Sequence, residues 1–195
     1  MMRYPVEELR PSSGYISAKV FENKVAGVAE ALYWNIEIEF EAVEFDGSCE
    51  QPSLQVDTFA MPIRDWRDLA NQVVEGAHNT IQTSFYVFGH DLASWTKVCF
   101  GTRIGFTFDV ELEINLELLG LDSGWDDKRP SAQSATIRVQ TVLPYTGFYI
   151  DEQILEVRPE TTYAAILIAA RHADLSCYKP VVIEGSRLVF HAMDV

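Results

Sequence analysis

Ile104-Gly105-Phe106-Thr107-Phe108-Asp109-Val110-Glu111-Leu112-Glu113-Ile114-Asn115-Leu116-Glu117-Leu118 holds an apolar residue at every even position, and a polar residue or glycine at every odd one. A period of two marks a strand with one buried and one solvated face. Fifteen extended residues would span ~50 Å, well above the ~17–20 Å of an ordinary strand. The stretch therefore predicts a bulge, a bend or strong coiling of the sheet within it.

The same period recurs on both sides. Downstream, a loop over 120–133 rich in Asp, Ser, Gly and Pro leads to Ile137, Val139, Thr141 and Leu143, which alternate with Thr136, Arg138 and Gln140. A hairpin is the natural reading. Upstream, residues 84–88 and 94–100 read as two strands joined around Gly89-His90-Asp91. Residues 33–44 alternate again. A turn-forming loop over 46–52 follows, and then a returning strand with Leu54, Val56 and Thr58 on one face. A further strand is expected over 15–21, after an irregular lead-in, and residues 23–31 suit a turn or short helix.

Two helices are expected. Trp66, Leu69, Ala70 and Val73 share a helical face, with Asp65 placed to cap and Gly76 to terminate. A second helix opens at Pro159-Glu160-Thr161 and turns Tyr163, Ile166, Leu167 and Ala170 to the core. The tail adds a strand over 148–157 and two short strands turning at Glu184-Gly185-Ser186. The fold expected is β-rich α+β, with about eight to ten strands. It would be a curved antiparallel sheet or a two-sheet sandwich with two helices packed on it. One domain covers 1–195. A weak echo between residues 36–41 and 110–115 suggests a duplicated hairpin-plus-helix unit near 32–75 and 104–173.

Charge is distributed unevenly. Between Lys24 and Arg64 there are eight acids and no Lys or Arg; between Arg103 and Lys128 there are seven acids and again no cation. The formal net charge is −14, so these two windows contain the whole excess. Such a surface repels nucleic acid and anionic membrane, and attracts a basic protein. The start has no apolar stretch like that of a signal peptide, and the longest apolar run, 163–170, falls far short of the ~20 residues of a membrane span. Cys49, Cys99 and Cys177 are odd in number and widely spaced, which predicts free thiols in a reducing, cytoplasmic setting.

The acids form two ladders, Glu37/Glu39/Glu41 and Glu111/Glu113/Glu117. Side chains two apart on a strand share a face at ~7 Å. The ladders are therefore either a solvated outer face or a docking surface. Trp125, within Asp122-Ser123-Gly124-Trp125-Asp126-Asp127, suits an interface anchor ringed by acids, or a cover over one end of the sheet. Asp122, Asp126 and Asp127 match no calcium-loop spacing. Trp34 and Trp95 are expected in the core. His78, His90, His172 and His191 stand at no metal-ligand spacing, and no nucleophile elbow, phosphate loop or dinucleotide fingerprint occurs. No cofactor, metal or catalytic residue is expected.

In kind, the chain resembles the small acidic inhibitors that bacteria make against their own protein toxins. The likeness rests on charge, size and missing catalytic machinery. It implies a non-enzymatic immunity protein or antitoxin that covers a basic partner through the two ladders or the Trp125 loop. Two alternatives stand beside it. One is a small-ligand binder or enzyme with a curved-sheet cavity lined by Tyr, Trp and His90. The other is a structural subunit that pairs strand edges in a homodimer. Arg138 is placed to neutralise one glutamate of the second ladder. The first hairpin has no such cation, so Glu37, Glu39 and Glu41 are the favoured docking face.

Overall fold

The 104–118 alternation is two strands rather than one. It turns at Gly105, whose φ of 59° is left-handed, a backbone that glycine adopts without a Cβ penalty. The turn has two residues, so Ile104 and Thr107 share a face and the inward parity reverses across it, although the apolar pattern in the sequence runs on unbroken. Ile104 pairs with Thr107 across the turn and is left 76% exposed.

A computed structural model of the chain describes residues 4–87, 89–118, 133–151, 154–155 and 161–194. The strands are β1 (Pro11–Asn23), β2 (Val28–Phe40), β3 (Val43–Phe45), β4 (Ser48–Glu50), β5 (Ser53–Ala60), β6 (Val73–Ala77), β7 (Gln82–Tyr86), β8 (His90–Ile104), β9 (Thr107–Leu118), β10 (Gln133–Ile150), β11 (Val182–Glu184) and β12 (Arg187–His191). One α-helix, α1 (Thr162–His172), and three short 3-10 turns complete the described elements: Val6–Glu8, Trp66–Leu69 and Leu175–Cys177.

The order β1-β2-β5-β7-β8-β9-β10 closes on itself, because β10 returns to β1 as a parallel neighbour. The result is a closed seven-stranded barrel, with 62% of the described residues in strands and 13% helical. This overturns the expected open sheet or sandwich with two helices. The first expected helix is a 3-10 turn of four residues, Trp66–Leu69. Asp65 does cap it, accepting from the Arg67 backbone N–H at 2.9 Å. The chain then enters β6 and pairs with β8, which leaves Val73 56% exposed. Closure rests on β10. It pairs with β9 over residues 133–144 and with β1 over 145–150, where β12 also joins it.

Even positions of β1, β2 and β9 point inward: Ile16, Ala18 and Val20; Ile36, Ile38 and Phe40; Val110, Leu112 and Ile114 are all buried. Aromatic side chains fill the rest. Buried Tyr4 meets Phe45 edge-on and Phe85 at a tilt, and its backbone N–H donates to Gln133 Oε1 at 2.9 Å. Trp66 lies flat between Phe106 and Tyr145, and its Nε1–H donates to Cys177 O at 3.2 Å. The barrel interior is therefore packed core rather than a pore. Trp34 is fully buried as expected, whereas Trp95 is only half-buried.

Helix α1 forms where expected but with its faces exchanged. Ala165 and Ala169 are buried, while Tyr163, Ile166 and Leu167 are 71%, 38% and 53% exposed. Its C-terminal carbonyls are held by Arg64, whose Nη2 donates to Ala170 O at 2.6 Å. Glu30 also holds this end, meeting Arg171 at 2.8 Å and His172 at 2.7 Å. No helix among the described residues is long and apolar enough to cross a membrane. All three cysteines are free, Cys49 exposed, Cys99 half-buried and Cys177 buried.

Candidate functional site

Strands β5 and β10 each carry an extra residue on the same transverse row. In the β2–β5 pairing, Trp34 faces Phe59 and Ile36 faces Val56, so Asp57 and Thr58 together oppose Asn35. In the β1–β10 pairing, Ile16 faces Tyr145 and Ala18 faces Phe148, so Thr146 and Gly147 together oppose Ser17. Ser17 and Asn35 face each other across β1 and β2. The row thus reads Thr146/Gly147, Ser17, Asn35, Asp57/Thr58. Bulges bend a strand and re-aim its side chains.

A groove of about 400 Å³ lies over this row on the outside of the barrel. That is within the size range of small-molecule sites. β5 and β2 contribute Asp57, Asn35 and Glu37 to its lining, β1 contributes Tyr15, Ser17 and Lys19, and β10 contributes Tyr149. The β11–β12 hairpin supplies Arg187, His191 and Glu184 on the far side. The Arg187 guanidinium rests 4.5 Å from the centre of the Tyr149 ring. His191 Nε2 and Glu184 Oε1 are 2.7 Å apart.

Burial governs the electrostatics. It pushes the half-buried Asp57 carboxyl above its usual value; Lys19 opposes that shift and Glu37 adds to it. Burial also raises the Tyr15 phenol, reinforced by its hydrogen bond to the Glu37 carboxylate. Tyr149 is raised too, again mainly by burial, with Arg187 pulling the other way. Among the described residues, Asp57, Lys19 and Arg187 make no ion pair within 4.0 Å. Opposite charges thus line one groove without neutralising each other directly.

Both acidic ladders lie on the outer surface, but their surroundings differ. Glu113 is cancelled: it meets Arg138 Nε at 3.2 Å and faces Lys97 across β8. Glu111 and Glu117 are exposed. In the first ladder Glu37 lines the groove, while Glu39 and Glu41 are exposed. Glu41 is tied by its backbone to Arg10 O, and Ser13 faces Glu39, which places this end beside the Glu7–Glu8 turn. The β3–β4 hairpin follows directly with Glu44, Asp46 and Glu50. Asp122, Trp125, Asp126 and Asp127 lie outside the described residues. Leu118 and Gln133, which flank that segment, are at the Tyr4 end of the barrel.

Three of the four histidines have side-chain partners, His191 on Glu184 as above, while the buried His78 Nδ1 has none among the described residues. His90 sits 2.8 Å from Ser84 Oγ and stacks on Tyr86, and His172 binds Glu30. Among the described residues, no group of three or more His, Cys, Asp or Glu side chains is arranged to hold a metal ion. Comparison with protein-family models, curated proteins and solved structures returned no match. The reading of this chain therefore rests on its own geometry.

Most of the groove was missed by reasoning on motifs, yet one signal for it is present in the sequence. The inward parity switches at each bulge. Leu54 and Val56 are followed by Phe59, and Leu143 and Tyr145 by Phe148 and Ile150. Thr58, expected on the inner face after Leu54 and Val56, instead occupies the bulge.

Proposed function

We propose that the protein binds a basic protein partner without catalysing a reaction, using the acidic end of the barrel. One observation carries the reading. Glu39 and Glu41 are exposed, flanked by Glu7, Glu8, Glu44, Asp46 and Glu50, and make no ion pair among the described residues; the neighbouring Arg10 turns its guanidinium to the Glu7 and Leu9 carbonyls instead. A solvated face needs no such segregation, and the second ladder shows the ordinary solution, with Arg138 and Lys97 set against Glu113. Unpaired charge of one sign attracts a cationic partner from a distance and rejects acidic ones. The mechanism is steric cover guided by electrostatic steering, as an inhibitor of a basic toxin would require.

The test is comparative. A partner captured by the wild-type chain is lost with the Glu39→Lys/Glu41→Lys double variant and retained by Glu111→Lys/Glu113→Lys. Its association rate falls by an order of magnitude or more as salt rises from about 0.05 to 0.5 M, because the screening length shrinks below the separation of the approaching faces. Equal capture by both double variants, or an association rate indifferent to salt, overturns the proposal.

A further inference from the structure

The groove on the bulged row adjoins the acidic end through Glu37 of β2, but its ligand can be tested without any protein partner. We infer that it is a binding site for a small zwitterion, a molecule carrying an amine at one end and a carboxylate or phosphate at the other. The amine lies against Glu37 and Asp57, and the anionic group lies against Arg187.

The site is built rather than incidental. Thr58 is β-branched and holds a left-handed φ of 60°, a conformation such residues adopt at a cost on the order of 1–3 kcal/mol. It is held there by Asn35, a buried amide whose Oδ1 accepts from the Thr58 N–H at 3.2 Å. Glycine at this position would give the same bend without strain. On the other side of the row, Gly147 has φ 127°, and a Cβ there would collide with the Phe190 carbonyl. These two irregularities place Asp57 and Thr146 on the outer face beside Ser17 and Asn35.

Glu37 and Asp57 come from β2 and β5; Arg187 comes from β12, beside Glu184 of β11, whose carboxylate is held 2.7 Å from His191 Nε2. From β2 to β12 the sheet crosses β1 and β10, three spacings or ~14 Å of backbone. The Tyr15 phenol, hydrogen-bonded to Glu37, also lies within the field of Arg187. Arg187 is fixed over the Tyr149 face and, among the described residues, makes no ion pair within 4.0 Å. Lys19, at the middle of the floor, counters the two acids. The lining holds Glu37, Asp57 and Glu184 together with Lys19, Arg187 and His191, so both signs of charge are present in one site. A ligand that satisfies both ends must carry both charges several bonds apart, as ω-amino acids, dipeptides and aminoalkyl phosphates do. The phenols of Tyr15 and Tyr149 and the amide of Asn35 would serve the atoms between them.

The experiment needs no protein partner, so its outcome is separate from that of the docking proposal. Aminocaproate, glycylglycine and phosphoethanolamine are titrated into the full chain and followed by calorimetry and by amide chemical shifts. Hexylamine, caproate and glucose serve as controls. The expected result is saturable binding of at least one zwitterion, with shifts centred on Tyr15, Asn35, Asp57, Tyr149 and Arg187. Each singly charged control binds at least about tenfold more weakly, the loss of one charge-assisted contact. Preference between the carboxylate and phosphate ligands identifies the anionic group. Arg187→Gln and Asp57→Asn each weaken binding by about tenfold or more, while Glu111→Gln leaves it unchanged; circular dichroism checks that the variants are folded. Binding of hexylamine or glucose as tight as that of the zwitterions overturns the inference. So does no binding of any zwitterion up to about 10 mM, or shifts centred elsewhere.

Discussion

Asp57 shows how one residue connects backbone geometry to stability. The bulge turns its carboxyl toward a half-buried floor, where burial and Glu37 oppose ionisation more than Lys19 favours it. The folded state therefore holds the Asp57 proton more tightly than the unfolded chain does. Between the ordinary carboxyl value of 3.8 and the raised folded value, the native protein binds the extra proton. Stability from this group is fully present below that ordinary value and is lost as pH rises through the folded one. At neutral pH the ionised Asp57 thus weakens the fold. Asp57→Asn raises the urea midpoint at pH 7, and the gain over wild type shrinks as pH falls through the raised folded value and vanishes below the ordinary value of 3.8. A midpoint that falls at pH 7 would mean that Lys19 stabilises the carboxylate after all. The sequence showed Asp57 only as an odd-numbered residue of an alternating strand. Its role follows from a single inserted residue, whose trace is the shift of the next inward position from 58 to 59.

At the level of elements, strands were far more legible than helices. Alternation identified most of the barrel strands because each has a buried and a wet face. It could not separate β8 from β9, since Ile104 and Phe106 continue the even-numbered apolar pattern even though the two-residue turn between the strands reverses which parity faces inward. Residues 66–73 fit a helical face and yet form a 3-10 turn and a strand, because β6 finds a ladder on β8 that outweighs local preference. Helix α1 reverses the usual amphipathic rule. Its small residues allow close approach to the barrel, so Ala165 and Ala169 face inward and the larger apolar residues remain outside. A large side chain at the alanine face has nowhere to go. Ala169→Leu costs about 1–3 kcal/mol by overpacking, whereas Leu167→Ala changes stability by no more than about 0.5 kcal/mol. Chemical denaturation of the two variants decides between the faces, since a helix buried through Tyr163, Ile166 and Leu167 would reverse the order of the two effects.

Closure belongs to the whole molecule, and no local pattern announces it. The seam joins β1 to β10, whose paired residues Ile16 and Tyr145 are far apart in the chain. Parallel pairing between strands of that separation leaves no trace in either strand's own alternation. The charge layout was legible for the opposite reason: facing water, it follows directly from which alternate positions are acidic. What makes the seam possible is Gly147, where β1, β10 and β12 meet and where φ is 127°. A Cβ there meets the Phe190 carbonyl and His191 Cα, both backbone atoms that can move only by shifting β12. Gly185 offers the matching control. It too has a left-handed φ, 61°, but a Cβ added to it has nothing within 4 Å. Gly185→Ala therefore carries only the conformational penalty, about 1–2 kcal/mol. Gly147→Ala carries that penalty and the displacement of the seam, so its loss exceeds the control by roughly 1–3 kcal/mol. If the barrel unfolds as one unit, both variants lower the urea midpoint at an unchanged slope. A Gly147→Ala variant no less stable than Gly185→Ala would mean that the seam yields easily. A changed slope for Gly147→Ala alone would mean that the β11–β12 end opens before the rest of the barrel.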